Sequence, residues 1–177
     1  MFKLKKFEMS RASEASVTTA EKIVTNKVSV FYSYCHADEE LRDQMEKHLA
    51  VLRREGFIDQ WHDRRIEAGD EWARSIDVNL EAAHLILLLV SADFLASNYC
   101  YEIEMKRALE RHELGEAHVI PVVLRSCDWS LAPFANLQAL PKDAMAVTSW
   151  ANPDEAFTDV AKGVRKVVET LRCPKAG

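Results

Sequence analysis

Six consecutive residues, Leu85-Ile-Leu-Leu-Leu-Val90, carry only aliphatic side chains. A strand sends successive side chains to opposite faces, so a run apolar at every position needs cover on both faces. That is the situation of a strand in the middle of a parallel sheet. The chain around it should therefore alternate strands with helices that pack on the two faces.

It does so. Lys27-Val-Ser-Val-Phe-Tyr-Ser33 is short and rich in β-branched and aromatic residues, as a strand requires. A helix is expected from Asp38 to Arg54, with Leu41, Met45, Leu49 and Leu52 at steps of three and four, Asp38 as its cap and Gly56 closing it. Phe57 to His62 reads as a second strand, Asp63 to Asp70 as a polar loop and Glu71 to Ala83 as a helix with Trp72, Ile76 and Leu80 on one face. After the Leu85–Val90 strand, Ser91 to Cys100 leads into a helix ending near Glu113, whose Glu110-Arg-His-Glu113 segment reads as a solvated charged face. Val119 to Leu124 is the fourth strand, and Pro121 within it points to a sheet edge or a strand start. Ala144 to Thr148 reads as a fifth strand, and Asp154 to Leu171 as the last helix, with Pro153 at its start.

The expectation is an α/β domain: a five-stranded parallel sheet, helices on both faces, right-handed crossovers. Residues 1–26, rich in Ser, Thr, Ala and Lys, read as a leader or linker, 27–172 as the domain and 173–177 as a tail. Ligands of such folds bind at the carboxyl ends of the strands. The loops there begin at Ser33, Asp63, Ser91, Arg125 and Thr148.

Bulk properties narrow the function. The 177 residues suit one core, and a net charge of −5 argues against a dedicated nucleic-acid binder. With five glycines in all, neither a Walker A loop nor a G-x-G-x-x-G turn can be drawn. Cys35, Cys100, Cys127 and Cys173 are widely spaced, as reduced thiols are, and the six histidines form no ligand spacing, so no metal is expected. The chain lacks a run long enough for a transmembrane helix, and its first residues lack the apolar core of a signal peptide, so a cytoplasmic protein without membrane contact is expected.

Val30-Phe-Tyr-Ser-Tyr34 followed by Asp38, the Asp63–Trp72 segment, and Leu88-Leu-Val-Ser91 through Ser97-Asn-Tyr-Cys100 resemble, in order and spacing, the successive boxes of TIR domains, bacterial ones above all. The resemblance covers roughly residues 27–171 and implies a flavodoxin-like fold. It also implies an NAD+ glycohydrolase that splits the nicotinamide–ribose bond, giving nicotinamide with ADP-ribose or a cyclic isomer, in antiphage defence and activated by self-assembly. The family's catalytic acid is a glutamate shortly after an S-x-W/Y-C box. The common spacing, three residues beyond the cysteine, falls here on Ile103, and the flanking Glu102 and Glu104 are the candidates. The Glu104-Met-Lys-Arg-Ala108-Leu run matches the helical register better and favours Glu104.

The chemistry suits a single carboxylate. Breaking the bond to nicotinamide builds positive charge on the ribose, which a nearby carboxylate stabilises. Nicotinamide leaves readily, so no general acid is required and NAD+ is substrate, not cofactor. The resemblance implies substrate contacts from Ser33, Tyr34, Asp63, Arg65, Trp72, Ser91 and Tyr99. Trp72 would stack on the cationic nicotinamide, or simply pack its helix on the sheet. Arg64 and Arg65 could meet the pyrophosphate, a neighbouring TIR domain through the Asp63–Asp70 loop, or only water. Asp63 and Ser91 are equally readable as caps. Cys100, beside the proposed acid, is either reactive or simply buried. Alternative functions are a non-catalytic TIR–TIR interaction module, with sensing supplied by a separate protein, and a virulence protein that interferes with host signalling.

Overall fold

A computed structural model describes residues 27–61, 78–98 and 100–173, with the side chains of residues 60 and 61 outside the description. The strands are β1 (Val28–Ser33), β2 (Ile58–Trp61), β3 (Leu85–Val90) and β4 (His118–Val123). The helices are α1 (Glu39–His48), α2 (Ala50–Arg54), α3 (Ala92–Ala96), α4 (Lys106–Glu113) and α5 (Pro153–Arg172), with a π-helical turn, Cys100–Met105, leading into α4. Residues 78–82 are also helical.

The strands form one sheet in the order β2-β1-β3-β4, and every pairing is parallel. All six residues of β3 are fully buried, and its alternate side chains feed two separate cores. Leu85, Leu87 and Leu89 pack with Val30, Tyr32, Met45 and Leu49, and with Phe157, Val160 and Val164 of α5. Ile86, Leu88 and Val90 pack on the other face with Phe31, Leu80, Phe94, Met105 and Ala108. Each buried leucine contributes about 1.5–3 kcal/mol. This is the α/β layering expected from the Leu85–Val90 run.

Helix ends follow local chemistry. Gly56 adopts a φ of +69° after α2, a conformation cheap only for glycine. The side chain of Asn152 accepts from the Asp154 amide at 3.0 Å, and Pro153 occupies the first turn of α5. The helix expected from Asp38 to Arg54 instead starts as a 3-10 turn at His36–Asp38 and breaks at Leu49 between α1 and α2. Asp38 does not cap it. Its carboxylate turns into the core, for reasons given below.

The described sheet has four strands, not five. Ala144–Thr148, expected as a strand, lies across two 3-10 turns, Lys142–Ala144 and Val147–Ser149. Only Leu140 extends the sheet, by a parallel bridge to Val122. Pro141 then offers no N–H to a ladder, and Asp143 and Ala144 take φ of 58° and 53°. Apolar composition did not suffice there, because the backbone cannot stay extended.

β4 is accordingly an edge strand, as Pro121 suggested, and its outward side is closed. Val119 N–H donates to His112 Nδ1 at 3.3 Å, Pro121 has no N–H, and Val123 N–H donates to the Leu140 carbonyl at 2.8 Å. Protecting an edge in this way prevents pairing with another chain.

Arg111 corrects the reading of 110–113 as a solvated face. It is 6% exposed, and its guanidinium donates to the carbonyls of Leu80 (2.5 Å), Ala83 (2.9 Å) and Glu116 (3.4 Å). These close the end of the helical segment at 78–82 against α4. Arg107, one turn earlier, pairs with Glu81 and Glu110 at the exposed surface. Arg111→Met should therefore lower stability by about 3 kcal/mol, because it strands buried carbonyls, whereas Arg107→Met should cost under about 1 kcal/mol. Urea midpoints at unchanged m-value check both, and equal small effects would contradict this account.

Candidate active site

Four of the six described buried polar side chains, Ser33, Asp38, Ser91 and Glu104, gather where the strands end. Ser33 is the last residue of β1 and is fully buried, as is Ser91 just after β3. Arg125 follows β4, and the 3-10 turn carrying Asp38 follows β1. The π-helical turn completes the rim.

Glu104 projects from that turn into the protein and is 5% exposed. Its Oε2 accepts a hydrogen bond from Ser33 Oγ at 2.5 Å. Glu102 and Ile103 face outward on the same turn; Glu102 pairs with Lys106, and Ile103 is 50% exposed. A π-helical turn accommodates one residue more than the α-helix it interrupts, and such turns recur at functional sites. On this turn the fourth residue beyond Cys100, Glu104, is buried, and the third, Ile103, is not.

Cys100 opens the turn. Its amide donates to Ser97 Oγ at 3.3 Å, and its thiol donates to the Tyr34 carbonyl at 3.3 Å. Burial pushes this thiol up to about 11, and the negative charge of Glu104 adds to the shift. Cys100 is therefore a protonated thiol at neutral pH, a packing group and not a nucleophile.

A second cluster lies alongside. Asp38, with its side chain wholly buried, accepts from Arg125 Nε at 2.6 Å and from Ser91 Oγ. Ser91 Oγ in turn accepts from the Phe94 amide at 3.0 Å and caps α3. Arg125 also pairs with Asp93. The hydrogen bonds that Arg125 donates to Asp38 and then to Asp93 hold its guanidinium charged beyond its ordinary range. This brace ties the segments after β1, β3 and β4 together. The proton of the Ser91 hydroxyl is spent on Asp38, so Ser91 sits in the brace beside the rim.

Tyr34 continues the alternation of β1 and turns to the opposite face from Ser33. Its ring packs with the α1–α5 core, 4.9 Å beneath the Arg42 guanidinium, whose Nη2 donates to the Tyr34 hydroxyl at 3.2 Å. The Tyr34 ring is thus parted from Glu104 by the sheet. Asp63, Arg64, Arg65, Trp72 and Tyr99 lie outside the described residues. Asp38 in its bracing role and Arg125 were not singled out from sequence. The signal for Arg125 was its place directly after a parallel strand. Nothing local marked Asp38 as more than a cap.

Among the described residues no three His, Cys, Asp or Glu side chains are grouped to hold a metal ion. The apolar groove lined by His118, Leu137, Leu140, Gly163 and Val167 follows the β4 edge and includes none of the rim's polar groups. No described helix is long and apolar enough to cross a membrane.

With this geometry in hand, comparison with known proteins identifies the family. The TIR domain family model matches residues 30–158, and the chain belongs to the TIR domain family. It is 57% identical over 152 residues to the uncharacterized protein y4lF of Sinorhizobium fredii, covering 84% of this chain and 47% of that protein. The chain thus spans about half the length of this curated relative. The fold is similar to the TIR domain of the Toll-related receptor TRR-2 of Hydra magnipapillata (TM-score 0.57, 19% identity, 79% of this chain and 97% of that one). It is equally similar to the TIR domains of the activated Roq1 resistosome, which directly recognizes the pathogen effector XopQ (TM-score 0.57, 18% identity, 78% and 99%).

Two outcomes test this description. The Asp38–Arg125 pair should show a coupling of about 1–2 kcal/mol in a double-mutant cycle with Asp38→Ala and Arg125→Ala, read from denaturant unfolding. Strict additivity would mean that the brace carries no energy. At pH 8, alkylation followed by mass spectrometry should label exposed Cys173 at least about a hundredfold faster than Cys100, because a raised pKa leaves little thiolate. Comparable rates would show that Cys100 is neither buried nor protonated as described.

Proposed function

We propose that this TIR domain is an NAD+ glycohydrolase in which Glu104 is the catalytic carboxylate. The observation behind this reading is one inward-facing glutamate at the carboxyl rim of a parallel sheet, hydrogen-bonded to Ser33. Fixed negative charge in an enclosed site stabilises a ribosyl cation far better than it would in water. Family membership supports the same reading through the resemblance of the boxes around Ser33 and Cys100. In this proposal Trp72 stacks on nicotinamide, Arg65 meets the pyrophosphate, and Asp63 and Tyr99 complete the substrate contacts. Products are nicotinamide and ADP-ribose or its cyclic isomer, and the setting is antiphage defence in the cytoplasm.

A second reading, a TIR–TIR interaction module, draws on the 5% exposure of Glu104. A carboxylate this enclosed meets no substrate until the rim opens. Self-association through the Asp63–Asp70 loop, or a sensor protein, reconciles the two readings if assembly is what opens it.

Concentrated protein incubated with NAD+ should release nicotinamide, followed by chromatography. Glu104→Gln should lose at least about a hundredfold in rate, the scale of a removed electrostatic stabiliser. Glu102→Gln should stay within about threefold, since an exposed ion pair contributes little. Specific activity should fall on about a hundredfold dilution, as mass action on an assembly requires. No release from assembled wild-type protein would leave the interaction module as the better account.

A further inference from the structure

The geometry assigns Ser33 a positioning role: its hydroxyl holds the Glu104 carboxylate ionised and aimed, and Ser33 itself does not touch substrate. This rests on the reading of Glu104 as the catalytic carboxylate and replaces the substrate contact that the sequence suggested for Ser33. Three observations lead to it.

Ser33 is fully buried, deeper than Glu104, which is 5% exposed, and its hydroxyl points to that carboxylate. A serine hydroxyl has one proton to donate, and its Oγ lies 2.5 Å from Glu104 Oε2. The serine is also mounted rigidly. β1 pairs with β2 on one side and β3 on the other, and Ser33 itself lies opposite Leu88. The sheet therefore fixes where Oγ sits, while the π-helical turn fixes where Glu104 enters.

The neighbourhood makes this donor matter. The Cys100 thiol is spent on the Tyr34 carbonyl and stays protonated, so it supplies no charge. Among the described residues the Cys35 thiol, like Glu104, pushes the Cys100 thiol upward. Glu102 and Lys106 pair with each other outside, and Asp38 and Arg125 pair within the brace. A buried carboxylate is hard to ionise, and a hydrogen bond donated to its charged form offsets that cost.

The test uses the whole chain with Ser33→Ala and Ser33→Thr. Removing the donor disfavours the charged carboxylate, so its titration moves upward. Ser33→Ala should lower kcat about tenfold with KM within about twofold, and the acid limb of kcat/KM should move about one unit to higher pH. Ser33→Thr keeps the hydroxyl in a strand and should restore both. Should Ser33→Ala fail to fold, Ser33→Cys keeps the volume with a weaker donor and should shift the limb in the same direction. A rise in KM at unchanged kcat would overturn the proposal and make Ser33 a substrate contact. So would an unmoved acid limb. A readout free of turnover is the Glu104 carboxyl titration, followed by NMR with carbon-13 in the glutamate side chains and assigned by Glu104→Gln. A higher midpoint in Ser33→Ala than in wild type upholds the pair, and identical curves overturn it. If wild type releases no nicotinamide, the catalytic reading of Glu104 fails, and this titration still decides whether Ser33 governs the carboxyl.

Discussion

The side chains of Leu85–Val90 are sealed from water on both faces, and the rest of the chain is arranged around that constraint. Peptide groups in such a strand must find partners beside it, which β1 and β4 supply by parallel pairing. Parallel pairing needs crossovers, and the crossovers bring α1, α5, α3 and α4 to the two faces. With both faces largely apolar, Ser33, Asp38, Ser91 and Glu104, four of the six described buried polar side chains, lie at the strand ends. Ser33, Ser91, Asp38, Glu104 and Arg125 accordingly meet along one rim.

The rim holds two clusters, one that braces and one that carries the proposed catalytic carboxylate. Asp38, Ser91 and Arg125 satisfy one another and lock three loops together. Ser33 and Glu104 form a smaller pair on the α3–α4 side of the sheet. The brace holds the loops against which the pair is set, so loss of Asp38 would loosen the rim without removing Ser33 or Glu104. The π-helical turn has the same character: it alters which residue faces inward without altering the composition of the helix.

What could be read from the sequence was what depends on short-range pattern. The run at Leu85–Val90, the spacing of Phe157, Val160 and Val164, and the Asn152-Pro153 start of α5 follow from periodicity and capping, and the structure has them. Ala144–Thr148 carried a strand-like composition but follows Pro141 and includes a left-handed Ala144, so the backbone overrode the pattern. Asp38 looked like a cap because its neighbours in sequence are helical. Its true partners, Ser91 and Arg125, are 53 and 87 residues away, beyond any local signal. Arg111 reads as surface because charged neighbours surround it, whereas its burial depends on carbonyls 28 to 31 residues earlier. For the site, helical register after Cys100 favours Glu104 over Glu102, while the π-helical turn that turns Glu104 inward and leaves Glu102 outside is visible only in three dimensions.

The most direct test of the central claim is a crystal structure of the Glu104→Gln protein with intact NAD+. The account predicts the nicotinamide riboside at the rim beside the π-helical turn, with the residue 104 side chain within hydrogen-bond distance of the ribose hydroxyls and still bonded to Ser33 Oγ. NAD+ bound elsewhere, or at the rim with residue 104 enclosed and out of reach of the ribose, would contradict it.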